Sequence, residues 1–93
     1  MDVERLVGWN VQRLRKAAGL SQEELALRIE IVAQSYISFL ESGQRNPTSV
    51  LLYLIAKALS VSVGELFNET GAPNSVTRGA VLIRSTRSGK KKL

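Results

Sequence analysis

The sequence predicts an all-α fold: a compact bundle of five short helices followed by a basic C-terminal tail. Three observations lead there. Apolar residues recur at helical spacing from Val3 onward. Two tetrapeptides, Ser21-Gln22-Glu23-Glu24 and Ser62-Val63-Gly64-Glu65, have the form of a capping box, in which serine and glutamate each satisfy an amide of the other. Gly19, Gly43 and Pro47 fall between the periodic stretches, where helices stop.

Each element follows from local chemistry. Val3, Val7, Val11, Leu14 and Ala18 form one stripe, so a first amphipathic helix runs from Val3 to about Ala17, with Gly19 suited to the left-handed position after its end. Ser21 caps a second helix whose inward face is Leu25, Ala26 and Ile29. A third runs from about Gln34 to Glu41, with Ile37 and Leu40 inward and Gly43 closing it. The residue before Pro47 is pushed out of helical geometry, so "QRNP" is a loop. Thr48 then caps a fourth helix reaching Leu59, with Leu52, Ile55, Ala56 and Leu59 on its core side. The second capping box starts a fifth, short helix through Leu66 and Phe67. These elements place the folded domain at residues 1–69 and the tail at 70–93.

Composition narrows the function. Ninety-three residues make one small domain, which buries only about 60–65% of its unfolded surface. With no Cys and no His, disulfides, thiol nucleophiles, imidazole catalysis and the usual soft metal ligands are excluded. No catalytic residues, metal or cofactor are therefore expected. The carboxylates Glu23 and Glu24 are better explained by helix capping and the helix dipole than by acid–base work. No apolar run approaches the ~20 residues of a membrane span. "MDVERLVGW" lacks a signal-peptide pattern, so a cytoplasmic location is expected.

The formal charge of +5 is unevenly placed. Residues 1–69 carry seven Lys/Arg against eight Asp/Glu, a net of −1, whereas residues 70–93 carry six against none, a net of +6. Nucleic-acid binding by the folded part cannot rest on bulk charge. For the tail, composition points to disorder, with a short strand at residues 80–83 ("AVLI") as the alternative. Either a basic arm on DNA phosphates or a solubilising end fits its sequence.

Three stretches, "VQRLRKAAGLSQEELA", "SYISFLESGQRNPT" and "LIAKALSVSVGELF", together resemble the XRE-type helix-turn-helix domains of phage lambda-like repressors. The resemblance spans about residues 3–68. It implies a DNA-binding transcriptional regulator whose third helix enters the major groove of double-stranded DNA. Its base readers would be Gln34, Ser35 and Phe39, with Tyr36 and Ser38 nearby. Gln suits adenine, and Phe suits a thymine methyl. Gln22 matches a position that bonds a phosphate at a helix N-terminus, and Arg45 and Asn46 lie in a loop that commonly touches the backbone. Arg13, Lys16 and Arg28 are weaker candidates, equally well read as a solvated face. Arg15 and Glu41 match a structural ion pair between the first and third helices.

Two departures from the family pattern stand out. Between Ala26 and Ile37 the chain has one residue more than usual, with Glu30-Ile31-Val32 in place of a Gly-Val turn and Ala33 where a capping hydroxyl would be. The extra residue is expected to close the turn without a left-handed residue, and the lost cap to cost about 0.5–2 kcal/mol. The fourth helix is apolar nearly all round, with Val50, Leu51 and Leu54 at positions the family keeps polar. A homodimer interface is the favoured reading, with Trp9 joining it or half-covering the core; burial under the fifth helix or the tail is the other. A dimer would bind a near-palindromic operator. No small-molecule ligand is expected, because residues beyond 69 offer no sensor pocket. The competing function is a protein-interaction module on the same fold, antitoxin- or anti-activator-like, built on the apolar fourth-helix surface.

Overall fold

The computed structural model describes residues 2–76. Four α-helices follow one another, α1 (Val3–Ala17), α2 (Gln22–Ile29), α3 (Gln34–Glu41) and α4 (Ser49–Ala58), and a 3-10 helix (Val63–Phe67) closes the bundle. There is no strand among the described residues. The proposed tail, with its candidate strand at residues 80–83, lies outside them from residue 77 onward.

Local chemistry fixes the helix ends. Asp2 caps α1 by accepting from the Arg5 amide. At α2 the capping box is complete: the Glu24 amide donates to Ser21 Oγ at 3.0 Å, and the Ser21 amide donates to Glu24 Oε1 at 2.7 Å. The bond from the Ser21 amide holds the Glu24 carboxyl below the usual carboxylate pKa. Thr48 caps α4 through the Leu51 amide. The second expected capping box does not form, because the 3-10 geometry gives the Glu65 amide to the Ser62 carbonyl instead of its hydroxyl. The Glu65 side chain faces Arg13 and Asn68.

The core gathers Val7, Val11, Leu25, Ile29, Ile37, Leu40, Ile55 and Leu66 from all five elements. The inward stripe of α1 is shifted from the expected one: Leu6 is buried, whereas Val3 and Ala18 are exposed. Gly8 sets the closeness of α1 to α3. A Cβ there would collide with the Leu40 carbonyl and press on that of Glu41, so α1 can cross the end of α3 only because this residue has no side chain. Ordered packing also continues past Glu69. Residues 74–76 form a helical turn, Val76 is buried, and Arg5 NH1 donates to the Ser75 carbonyl at 3.2 Å. The turn-rich composition of "TGAPNSV" hid this return.

The bend between α2 and α3 corrects one expectation. Glu30 takes φ +76°, ψ −31°, so a single non-glycine residue does carry the reversal. Its amide still bonds the Ala26 carbonyl at 2.9 Å, so α2 keeps its ladder to the last residue and must then turn at once. The extra residue follows the reversal as exposed Ile31, while Val32 packs against the core. Ala33 precedes α3 with no side-chain cap. Replacing Glu30 by Gly removes a penalty of roughly 1–2 kcal/mol for positive φ, less up to about 1 kcal/mol of extra unfolded-state entropy. Urea unfolding of Glu30→Gly should therefore show equal or higher stability. Ala33→Ser should add about 0.5–2 kcal/mol; a loss of stability in both variants would contradict this account of the bend.

Candidate nucleic-acid interface

The site is built outward from one ion pair. Arg15 on α1 meets Glu41 at the end of α3 through two bonds, Nε to Oε2 at 2.6 Å and NH2 to Oε1 at 3.0 Å, with side chains 9% and 2% exposed. The remaining arm of Arg15, NH1, donates to the Leu20 carbonyl at 2.7 Å. This bidentate fork fixes angle as well as distance. It ties the loop before α2 and the end of α3 to α1.

A chain of amides continues to the surface. Gln22 Nε2 donates to Glu41 Oε1 at 3.1 Å, and Gln34 Nε2 donates to Gln22 Oε1 at 2.7 Å. Gln22, expected at a phosphate, is thus also the link that orients Gln34 from the buried carboxylate outward. Its hydrogen bonds order α2 and α3 as one surface.

On α3 the exposed residues are Gln34, Ser35, Ser38 and Phe39, opposite the buried Ile37 and Leu40. Tyr36 is the inward member of the expected set, half-buried against the core, and that burial raises its hydroxyl pKa despite the opposing charge of Arg45. Phe39 remains 41% exposed. The Arg45 guanidinium lies 4.7 Å from the Phe39 ring centroid and 6.0 Å from that of Tyr36. This stacking partly shields two aromatic rings that water would otherwise meet. Asn46 follows, exposed.

The weaker candidates have other occupations. Arg13 stacks on Trp9 at 5.3 Å, donates to Asn10 Oδ1 at 2.7 Å and lies 3.5 Å from Glu65. Arg28 reaches the Ala58 carbonyl at 3.5 Å, and Lys16 is exposed. Trp9 lies close to Gly71, so it covers the returning C-terminal segment. Sequence reading missed Asn10, which is fully buried and donates from Nδ2 to the carbonyls of Leu6, Leu66 and Asn68. Its signal was an Asn on the inward stripe, one turn after Leu6. On α4, Val50 is 66% and Tyr53 56% exposed, whereas Leu51 and Leu54 are half-buried. Val63 and Phe67 are also exposed.

Two helices crossing through a short bend, with a polar outer face on the second and three further helices behind them, define a helix-turn-helix protein. Residues 11–66 match the profile described as "Helix-turn-helix". The chain belongs to the XRE-type helix-turn-helix family of DNA-binding transcriptional regulators, which are not enzymes. Over 70 residues it is 50% identical to the HTH-type transcriptional regulator y4dJ of Sinorhizobium fredii, covering 75% of this chain and 90% of that one. It is 38% identical over 74 residues to the control protein C.SmaI of Serratia marcescens, covering 80% and 87%. Among solved structures it is similar to the restriction-modification controller protein C.AhdI of Aeromonas hydrophila, with TM-score 0.65, 39% identity, and coverage of 69% and 91%. The clp gene regulator ClgR of Corynebacterium glutamicum superposes with TM-score 0.71 at 27% identity, covering 91% and 87%. No helix among the described residues is long and apolar enough to cross a membrane.

Removing the Glu41 carboxylate leaves the Arg15 guanidinium buried without a counter-charge. Glu41→Ala should destabilise the fold by about 3–5 kcal/mol, read as a lowered urea midpoint. A loss under 1 kcal/mol would show that the pair does not hold α3 in place.

Proposed function

We propose that the chain acts as a homodimer on a near-palindromic operator, with α3 in the major groove of each half-site. The observation that carries this reading is the hydrogen-bonded line from Glu41 through Gln22 to Gln34, which holds an exposed amide in a fixed direction at the start of α3. Gln34 reads an adenine edge, Phe39 contacts a thymine methyl, and Ser35 and Ser38 take further base-edge positions. Tyr36 acts mainly by holding Arg45. Gln22, Arg45 and Asn46 contact the phosphate backbone, which sets register without reading sequence. The protein works in the cytoplasm, and similarity to the control protein C.SmaI and the controller protein C.AhdI supports a regulatory role.

A second copy covers the apolar surface of α4. Val50 and Tyr53 are exposed beside half-buried Leu51 and Leu54, an apolar run on a helix that faces solvent. The proposed dimer would have to present its two α3 helices about 34 Å apart, one turn of DNA, to meet both half-sites. The same apolar surface favours the rival reading, a module that docks a different protein.

Selection of bound duplexes from a random pool tests the proposal. The expected product is a palindrome with fixed half-site spacing; no enrichment at low salt would favour the protein-binding alternative. Gln34→Ala and Phe39→Ala should each relax preference at one symmetric pair of positions, by about 1–3 kcal/mol of discrimination per contact. The fold should remain intact, as read by far-UV circular dichroism.

The interface is tested separately. Val50→Glu combined with Tyr53→Glu places charges at exposed positions, so the monomer should fold while sedimentation shifts from dimer to monomer. Affinity for the palindrome should fall, and affinity for a single half-site should not. A wild-type chain that sediments as a monomer at all concentrations up to those that saturate the operator would refute the interface.

A further inference from the structure

Arg45 differs from the other expected phosphate contacts in stacking on two aromatic residues of α3. The end of that helix places it there. The Gly43 amide donates to the Leu40 carbonyl at 3.0 Å, and the Gln44 amide donates to the Phe39 carbonyl at 2.9 Å. With Gly43 at φ +81°, these two bonds form a Schellman motif, which folds the chain back over the last turn of its helix. Arg45 is thereby brought over that turn, and its NH1 donates to the Gln44 carbonyl at 3.0 Å. Its guanidinium carbon lies 4.7 Å from the Phe39 ring centroid and 6.0 Å from that of Tyr36. Tyr36 and Phe39 are three residues apart, so they are neighbours on the surface of α3. Among the described residues no carboxylate pairs with Arg45.

A guanidinium offers two separate kinds of contact. Its flat face stacks on aromatic rings, and its edge carries N–H donors in a fixed fork that suits a phosphate. Arg45 has its face occupied by Phe39 and keeps donors on its edge. Phe39 in turn gains from that cover, because it is 41% exposed while Ile37 and Leu40 are buried on the opposite side of α3. A ring so exposed has other staggered orientations within reach, and the stacked guanidinium favours the one observed. Contact with a thymine methyl is undirected but short in range. A gap of about 0.5–1 Å forfeits about a quarter to a half of such a contact. Reading by Phe39 therefore demands a ring held in place.

We infer that Arg45 is a positioning residue for base recognition: with its edge on a phosphate, its face fixes the Phe39 ring against the thymine methyl. The inference rests on the reading of α3, Phe39 and Arg45 given above. It joins a backbone contact, which carries no sequence information by itself, to a base contact that does. The two act as one unit, so losing the stack costs selectivity even where the charge is kept.

The test uses the duplex selected from the random pool and copies in which each symmetric pair of thymines in turn is replaced by deoxyuridine. Each copy lacks one methyl group per half-site. At one pair of positions the parent chain should prefer thymine by about fourfold per half-site, the worth of one buried methyl-sized group. Arg45→Lys keeps the charge but has no flat face to stack. It should abolish that preference while the slope of log affinity against log salt stays as in the parent. In a Phe39→Ala background the same change should alter the preference no further, because the ring through which it acts is gone. Full thymine preference in Arg45→Lys would overturn the coupling and leave Arg45 as a phosphate contact alone. A parent that selects a palindrome yet prefers thymine at no position would overturn the coupling and leave the α3 reading standing. No selective binding by the parent would overturn both. Nuclear magnetic resonance of the free chain checks the stack without DNA. The Arg45 Cδ protons should resonate upfield of their position in Phe39→Leu, through the ring current of the stacked phenyl. Identical shifts in the two chains would show that the stack is absent in solution and overturn the proposal.

Discussion

The bond between the Arg15 guanidinium and the Glu41 carboxylate decides where α3 stands, and the exposed surface inherits its geometry from that position. Two parallel hydrogen bonds define a plane, so α3 is fixed in rotation relative to α1 as well as in distance. Glu41 Oε1 accepts from Gln22 as well, which passes the same constraint to the start of α2. Gln34 completes the line at the other end of α3. The burial that makes this pair costly to break also makes it costly to assemble, because both charges leave water. Such a pair is better understood as a device for orientation than as a source of net stability. Gly8 works to the same end, since the fork can close only where the α1 backbone comes within reach of the Leu40 and Glu41 carbonyls.

A second polar hub governs the opposite end of the sequence. Asn10 is buried and satisfied on both sides of its amide, donating to carbonyls of α1 and of the segment at residues 66–68, and accepting from Arg13. Buried amides of this kind are tolerated only when paired. Here the pairing closes the 3-10 helix onto α1 and sends the following residues back toward Arg5. The return of residues 68–75 along α1 to Arg5 thus starts from one asparagine in the first helix.

The parts of this architecture that were legible in the sequence are those set by short-range chemistry. The 3.6-residue stripe, Ser21 with Glu24, Thr48, and the glycines at 19 and 43 each act within four residues, so the ends of α1, α2 and α3 follow directly. Arg15 with Glu41 was legible only by resemblance, since nothing local joins residues 26 positions apart. What escaped was of two kinds. Long-range polar closure, as at Asn10 and the Arg5–Ser75 contact, leaves no periodic signal. Competition among backbone donors also leaves none: Ser62 and Glu65 have the residues of a capping box, but a 3-10 turn hands the same amide to a carbonyl. Glu30 belongs with these. Counting residues in the bend could not reveal that α2 would keep its hydrogen bonds to the end and concentrate the reversal in one residue.

That bend shows how the two ends of α3 differ. Its N-terminal end follows a strained residue, at about 1–2 kcal/mol, and lacks a cap that would contribute about 0.5–2 kcal/mol. An eight-residue helix cannot absorb such losses from its own backbone, because isolated helices of that length are unstable in water. The compensation comes from elsewhere along the same helix. Ile37 and Leu40 are fully buried, and full burial of such side chains is worth about 1.5–3 kcal/mol each. The C-terminal end is clamped to Arg15. Stability is therefore concentrated in the second half of α3 and in its inward face, leaving the first half free to carry residues chosen for what they touch outside the protein. A glycine-free, uncapped bend is tolerable in this fold because α3 is held from its far end, and the Gln34–Gln22 bond is then the main side-chain restraint on its exposed beginning.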